Sequence, residues 1–297
     1  MTPARRLAGC GTALVTPFQK NGDVDEKPLR ALVDWQIANG IHFLVPCGST
    51  GEAATMTPAE HRRVVEIVVE QAKGRVPIVA GAGSNDTAKA VAQSKEMKAA
   101  GATHLLHVSP MYNKPPQRGL IEHFKRVADA TDLPVILYNV PGRTGGNIEA
   151  KTTLALAEVP NIVAVKEASG NLGQITDILR DRPPAFSVLS GDDELTLAVM
   201  AAGGDGIISV ISNATPEAMA QLCEKAALGD FTGAKELHLR LLPWMRAAFV
   251  ESNPIPVKAA LAMMGRIGNH LRLPLVPLAD AHTETVRSAL RAADAVP

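Results

Sequence analysis

Short apolar runs alternate with amphipathic stretches from one end of the chain to the other. Eight runs have the length of strands: residues 11–17, 42–48, 77–83, 104–110, 134–140, 162–168, 186–192 and 206–212. Several are apolar at both alternating sets of positions, as in Ile162-Val163-Ala164-Val165, which predicts strands buried on both faces, as in parallel sheets. They recur at a spacing of roughly 30 residues, the length of a βα unit. The helices between them carry their own boundaries. Thr57-Pro58-Ala59-Glu60 reads as a capping box with proline at the first helical position. Val64, Ile67, Val68 and Gln71 then set a mostly apolar face, and Gly74 is placed to end the helix. Thr215-Pro216 is expected to open another helix in the same way.

Eight βα units in succession predict an α/β fold of the (β/α)8 TIM barrel type. A doubly wound open sheet is the runner-up, weakened because no GxGxxG follows the first strand. The barrel is assigned to residues 1–228. Residues 229–297 are expected to form C-terminal helices packed on it, over 231–250, 254–265 and 280–293, with Pro243 interrupting the first.

Composition narrows the functional classes. Lys+Arg and Asp+Glu balance at 30 each, which gives no basis for a nucleic-acid partner or a membrane surface. The three cysteines, Cys10, Cys47 and Cys223, have no CxxC spacing and fit a reducing compartment. The first ten residues lack the apolar run of a signal peptide, and no apolar run reaches the ~20 residues of a membrane span. A soluble cytoplasmic protein is expected.

In such a barrel the chemistry gathers where strands end. The sixth run ends in Lys166-Glu167. A lysine at the end of a buried strand has two uses. It can pair with a carboxylate, Glu167 or another, or it can lose charge through desolvation and become a nucleophile toward carbonyl carbon. The chain has two tyrosines, Tyr112 and Tyr138, and both fall at strand ends on the lysine's face, where a phenol could shuttle protons for imine chemistry. Ser49 and Thr50, in Gly48-Ser49-Thr50-Gly51-Glu52, offer hydroxyls and backbone N–H groups, although the same motif is also an ordinary glycine turn. Arg143, in a tight Pro-Gly-Arg-Thr-Gly loop, is either a surface cation or a two-pronged carboxylate ligand. Other features read as structural. His104 and His107 point to opposite faces of one strand and cannot share a metal. Gly203-Gly204-Asp205-Gly206 precedes a strand, on the face away from the chemistry, and Trp35 and Trp244 lie in helices.

The motifs GSTGE, PMYNKP, LYNVPGRTG, VAVKEASGN, LSGDD and ESNPIPVK occur in that order over about residues 11–278. As a set they resemble the dihydrodipicolinate synthase family of the class I pyruvate aldolase superfamily. The resemblance implies that Lys166 forms a Schiff base with pyruvate. Tyr138 is then the main proton shuttle, linked through Ser49 or Thr50 to a Tyr112 donated by the neighbouring subunit. Arg143 holds the carboxylate of L-aspartate 4-semialdehyde, and the backbone of Gly191 and Ile208 lies near the lysine and pyruvate. It further implies a homotetramer built as a dimer of dimers, and chemistry that needs no metal or organic cofactor. One departure is Ser49, where the family usually has threonine; serine keeps the hydroxyl but lacks the rotamer-restricting methyl. Lyases of the superfamily acting on sugar acids share GSTGE but lack the arginine, so a pyruvate-dependent sugar-acid aldolase or dehydratase is the competing enzyme. A barrel that only binds a keto acid is the competing non-enzyme. In family members inhibited by L-lysine, an acid, a tyrosine and histidines line the effector pocket. Lys89, Met111 and Pro58 stand at positions matching the acid, the tyrosine and one histidine, with His61 and Asn85 retained, so lysine inhibition is not expected.

Overall fold

The computed structural model describes residues 6–296. Its strands are β1 (Gly9–Ala13), β2 (Phe43–Val45), β3 (Val79–Gly81), β4 (His104–Val108), β5 (Val135–Asn139), β6 (Ile162–Glu167), β7 (Ser187–Ser190) and β8 (Gly206–Ser209). Each matches a predicted run but is shorter at its carboxyl end, because those residues turn away into the loops that carry the polar side chains. All pairings are parallel, in the order β2-β1-β8-β7-β6-β5-β4-β3. The two outer strands meet through a parallel bridge between Leu44 and Ile78. Hydrogen bonds from Leu44 N to Pro77 O (3.0 Å) and from Gly81 N to Pro46 O (3.0 Å) complete the closure. This is a TIM barrel, not an open doubly wound sheet.

The helices follow as α1 (Glu26–Ala38), α2 (Pro58–Ala72), α3 (Thr87–Ala99), α4 (Gln117–Asp129), the single turn α5 (Pro141–Thr144), α6 (Ala150–Ala157), α7 (Leu172–Asp181), α8 (Thr196–Ala201), α9 (Pro216–Ala227), α10 (Phe231–Ala247), α11 (Ile255–Met263) and α12 (Asp280–Ala292). The capping box of α2 is formed: Glu60 N donates to Thr57 Oγ1 (3.3 Å) and Thr57 N to Glu60 Oε2 (2.9 Å). Thr215 does not cap α9; its hydroxyl donates back to Ile211 O (3.0 Å). Pro243 does not interrupt α10, which runs through it. The carbonyl left without its partner belongs to Leu239, an exposed residue open to water, while Leu241, Trp244 and Met245 hold the helix down on both sides.

Small and β-branched side chains fill the barrel interior, among them Ala13, Val45, Val79, Ile136, Ala164 and Ile208. Outside the strands, one apolar cluster joins Leu32 and Val33 of α1, Met219 and Leu222 of α9, Trp244 of α10 and Leu290 of α12. The last helices therefore share the core of the first: α10 packs on α9 and α12, and Trp244 Nε1 donates to Ile211 O (3.3 Å). Among the described residues no helix is long and apolar enough to cross a membrane.

Candidate active site

Alternation along β6 sends Lys166 inward and Glu167 outward. Glu167 is taken by outer neighbours, accepting from Asn139 Nδ2 (3.0 Å), Gln174 Nε2 (3.1 Å) and Ser169 N (2.8 Å). The pairing of Lys166 with Glu167 is thereby excluded. Lys166 is 5% exposed and faces a cavity of about 520 Å³ at the carboxyl ends of the strands. Burial, the largest effect, pulls its ammonium down to about 8; the charge of Asp193 opposes this and that of Arg143 adds to it. A lysine so placed is partly neutral near physiological pH, which nucleophilic attack on a carbonyl requires.

The neighbouring strands frame it. The β5–β6 register sets Tyr138 beside Lys166, and the Lys166 Nζ lies 4.3 Å from the centre of the Tyr138 ring. Burial raises the Tyr138 phenol, partly offset by the Arg143 cation. From the end of β7, Gly191 closes the other side, its N–H donating to Glu167 O (2.8 Å). A Cβ there would stand 2.7 Å from Ala168 Cβ and 3.1 Å from Cε and Cγ of Lys166. Glycine is what lets the lysine chain lie flat against this backbone. Arg143 lines the cavity from α5, and its Nη2 approaches Asn253 O at 3.4 Å.

Ser49 and Thr50 line the same cavity, with Ser49 exposed and Thr50 buried. Thr50 Oγ1 accepts from Asn253 Nδ2 (2.9 Å), which leaves its own proton to donate. The turn beneath them is anchored by Glu52. Lys258 donates to Glu52 Oε1 (2.6 Å) and to Thr16 O (2.9 Å), with both side chains of the ion pair fully buried. Arg272 N donates to Glu52 Oε2 (3.1 Å). The GSTGE turn is thus tied to α11, more than 200 residues away in the chain.

Two of the expected site residues, Tyr112 and Ile208, do not line this cavity. Tyr112 does not stand beside the lysine of its own chain. It is 89% exposed, with a left-handed φ of 71°, and does not line the cavity. The loop after β4 turns outward, held by Tyr112 N to Thr144 O (3.2 Å). Ile208 lies fully buried in the barrel interior, and it is Val210, two residues on, that reaches the cavity wall. Sequence reasoning also missed residues. Asn253 and Lys258 were visible only as part of a motif. Asp193, buried beside Lys166, accepts from Ser209 Oγ (2.5 Å), Val210 N (3.1 Å) and Ile211 N (3.3 Å), and burial pushes its carboxyl up to about 6. The doubled aspartate of LSGDD was its only signal.

A second cavity of about 580 Å³ shares Gly48, Ser49, Leu106 and Tyr138 with the first and is lined by Pro58, His61, Lys89 and Met111. Both His61 ring nitrogens are engaged, Nε2 with Gly81 O (2.8 Å) and Nδ1 with Gln93 Nε2 (2.9 Å). Asp86 caps α3, accepting from Ala88 N (2.8 Å) and Lys89 N (3.4 Å). Glu96, the acid that does line this cavity, pairs with Arg62 (3.4 Å). The features read as structural stay so: His107 is buried against Ser94 (3.2 Å), Trp35 stacks with Arg266 (3.5 Å), and Asp205 is ion-paired to Arg182 and Arg6.

Fold and site together define a class: closed (β/α)8 barrels with a desolvated lysine at the end of the sixth strand. The profile of the Dihydrodipicolinate synthetase family matches residues 6–293, and the chain belongs to that family. It is 55% identical to a 4-hydroxy-tetrahydrodipicolinate synthase of Koribacter versatilis over 92% of this chain and 91% of that one. Among solved structures, a chloride-inhibited dihydrodipicolinate synthase from Acinetobacter baumannii complexed with pyruvate superposes with a TM-score of 0.96. The two are 44% identical, over 97% of this chain and 99% of that one. A dihydrodipicolinate synthase from Cyanidioschyzon merolae with lysine bound gives a TM-score of 0.95 at 40% identity, over 97% and 99% of the two chains.

Proposed function

We propose that the chain condenses pyruvate with L-aspartate 4-semialdehyde to 4-hydroxy-tetrahydrodipicolinate, a step of lysine and diaminopimelate biosynthesis. The observation that carries this reading is the desolvated Lys166, set between Tyr138 and Gly191 in a cavity that Arg143 also lines. Neutral Lys166 attacks the pyruvate ketone and water leaves, giving an iminium. Loss of a methyl proton gives the enamine, whose carbon adds to the aldehyde. The amine of the adduct then attacks the imine carbon, and the bond to Lys166 breaks. Tyr138 moves the protons, with Thr50 and Ser49 extending the path, and Arg143 holds the semialdehyde carboxylate. Gly191 and Ile208 shape the backbone around lysine and pyruvate.

Tyr112 belongs in this reading to a neighbouring copy. An exposed aromatic in a left-handed backbone conformation costs on the order of 1–3 kcal/mol and persists where it serves a purpose. A homotetramer in the cytoplasm, with residues 1–228 as the barrel and 229–297 as helices on it, completes the picture. L-Lysine does not inhibit it: Lys89 opposes a cationic effector in the second cavity, Asp86 is spent on a helix cap, and Glu52 is buried against Lys258.

Incubation with pyruvate and borohydride should add one reduced pyruvate per chain, absent in Lys166→Ala, and the protein should turn over pyruvate with aspartate semialdehyde. An adduct that persists in Lys166→Ala, or turnover with 2-keto-3-deoxy sugar acids alone, refutes the assignment.

A further inference from the structure

Two acids line the lysine's cavity, Asp192 and Glu194. Glu194 is already matched, Oε2 lying 3.2 Å from Arg246 Nε. The third acid of this segment, Asp193, is buried with three donors of its own. Asp192 is different. Its side chain accepts backbone bonds from Glu194 N (3.1 Å) and Leu195 N, and no ion pair joins it to a cation among the described residues. Its main chain is fixed, since Ser190 Oγ donates to Asp192 O (2.8 Å) and Asp192 N to Ser190 Oγ (3.2 Å). A half-buried carboxylate on rigid backbone, without a counter-ion, faces a reaction cavity. Such a group is costly until a ligand supplies the missing positive charge.

The strand order says which ligand charge it meets. Arg143 follows β5, Lys166 ends β6 and Asp192 follows β7, so the nucleophile is flanked by a cation on one side and an anion on the other. The semialdehyde carries the complementary pair, a carboxylate and an ammonium on one carbon, two bonds from the aldehyde carbon. We propose that Asp192 is a specificity-determining residue that binds the ammonium of the amino aldehyde, opposite Arg143 on its carboxylate. This rests on the function proposed above and deepens it: the enzyme selects an α-amino acid head, not merely a carboxylate. It also holds the nitrogen that must later reach the imine carbon.

The test compares two aldehydes on enzyme preloaded with pyruvate: aspartate semialdehyde, and succinate semialdehyde, which lacks the amine. Each mixture is quenched with borohydride, and the decay of the pyruvate adduct on Lys166 is followed by mass spectrometry. Asp192→Asn should slow the reaction with aspartate semialdehyde ~10- to 100-fold more than that with succinate semialdehyde. Asp192→Glu, which keeps the charge, should restore part of the preference. Equal slowing for both aldehydes in Asp192→Asn, or none, overturns the proposal. If Asp192→Asn does not form the pyruvate adduct, Asp192→Ser takes its place with the same two readings. Wild-type turnover with aspartate semialdehyde, measured first, tests the underlying function separately.

Discussion

The rate at which Lys166 forms its pyruvate imine should follow its own ionisation. An ordinary lysine, at 10.5, is neutral in about one molecule in 3,000 at pH 7, whereas one held at about 8 is neutral in about one in ten. The net shift, in which burial is the largest cause, therefore raises the reactive fraction ~300-fold, on the order of 3 kcal/mol. Stopped-flow or borohydride-quenched imine formation should rise with pH and level off above an inflection near 8. The two charges that act on Lys166 shift that inflection in opposite directions. The Asp193 carboxylate favours the ammonium, so Asp193→Asn lowers the lysine further and moves the inflection to lower pH. The Arg143 guanidinium disfavours the ammonium, so Arg143→Ala moves it to higher pH. A merely structural disturbance would lower the plateau rate without this pair of opposed shifts. An inflection near 10, or displacement of both variants in the same direction, would refute the reasoning.

Two further outcomes are expected. Lys258→Met strands the Glu52 carboxylate in a site with no exposure, and should cost about 3–5 kcal/mol, seen as a lowered thermal midpoint together with lost activity as the GSTGE turn loosens; the double variant Glu52→Gln/Lys258→Met should regain most of the stability, and a single variant as stable as the parent would deny the pair its role. Titration of L-lysine into the turnover assay should leave the rate unchanged below millimolar concentration, and clear inhibition there would show that the second cavity accepts the cation despite Lys89.

The order of elements was legible in the chain because its causes are local. Period, caps and glycine turns act over a few residues, so eight βα units could be counted, and the barrel rule then pointed to the strand ends. Lys166, Tyr138, Arg143, Ser49 and Thr50 all reach the cavity from those ends. The C-terminal helices were also visible, although Pro243 misled: a missing N–H matters little where the orphaned carbonyl faces water and the flanking side chains are buried. Tertiary structure alone decided which side chains meet. Thr50 and Asn253 are 203 residues apart, and Glu52 and Lys258 206 apart, so no window on the sequence contains either pair. Alternation along β6 assigned Glu167 to the outside and left Lys166 without it, but only the pairing of β6 with β7 put Asp193 close enough to act on the lysine. The outward turn of its loop, which no local pattern announced, is what sets Tyr112 at the surface of its own chain and away from its own lysine. Pairing, desolvation and the field at a site depend on distances through space, and those are set when the last strand closes on the first.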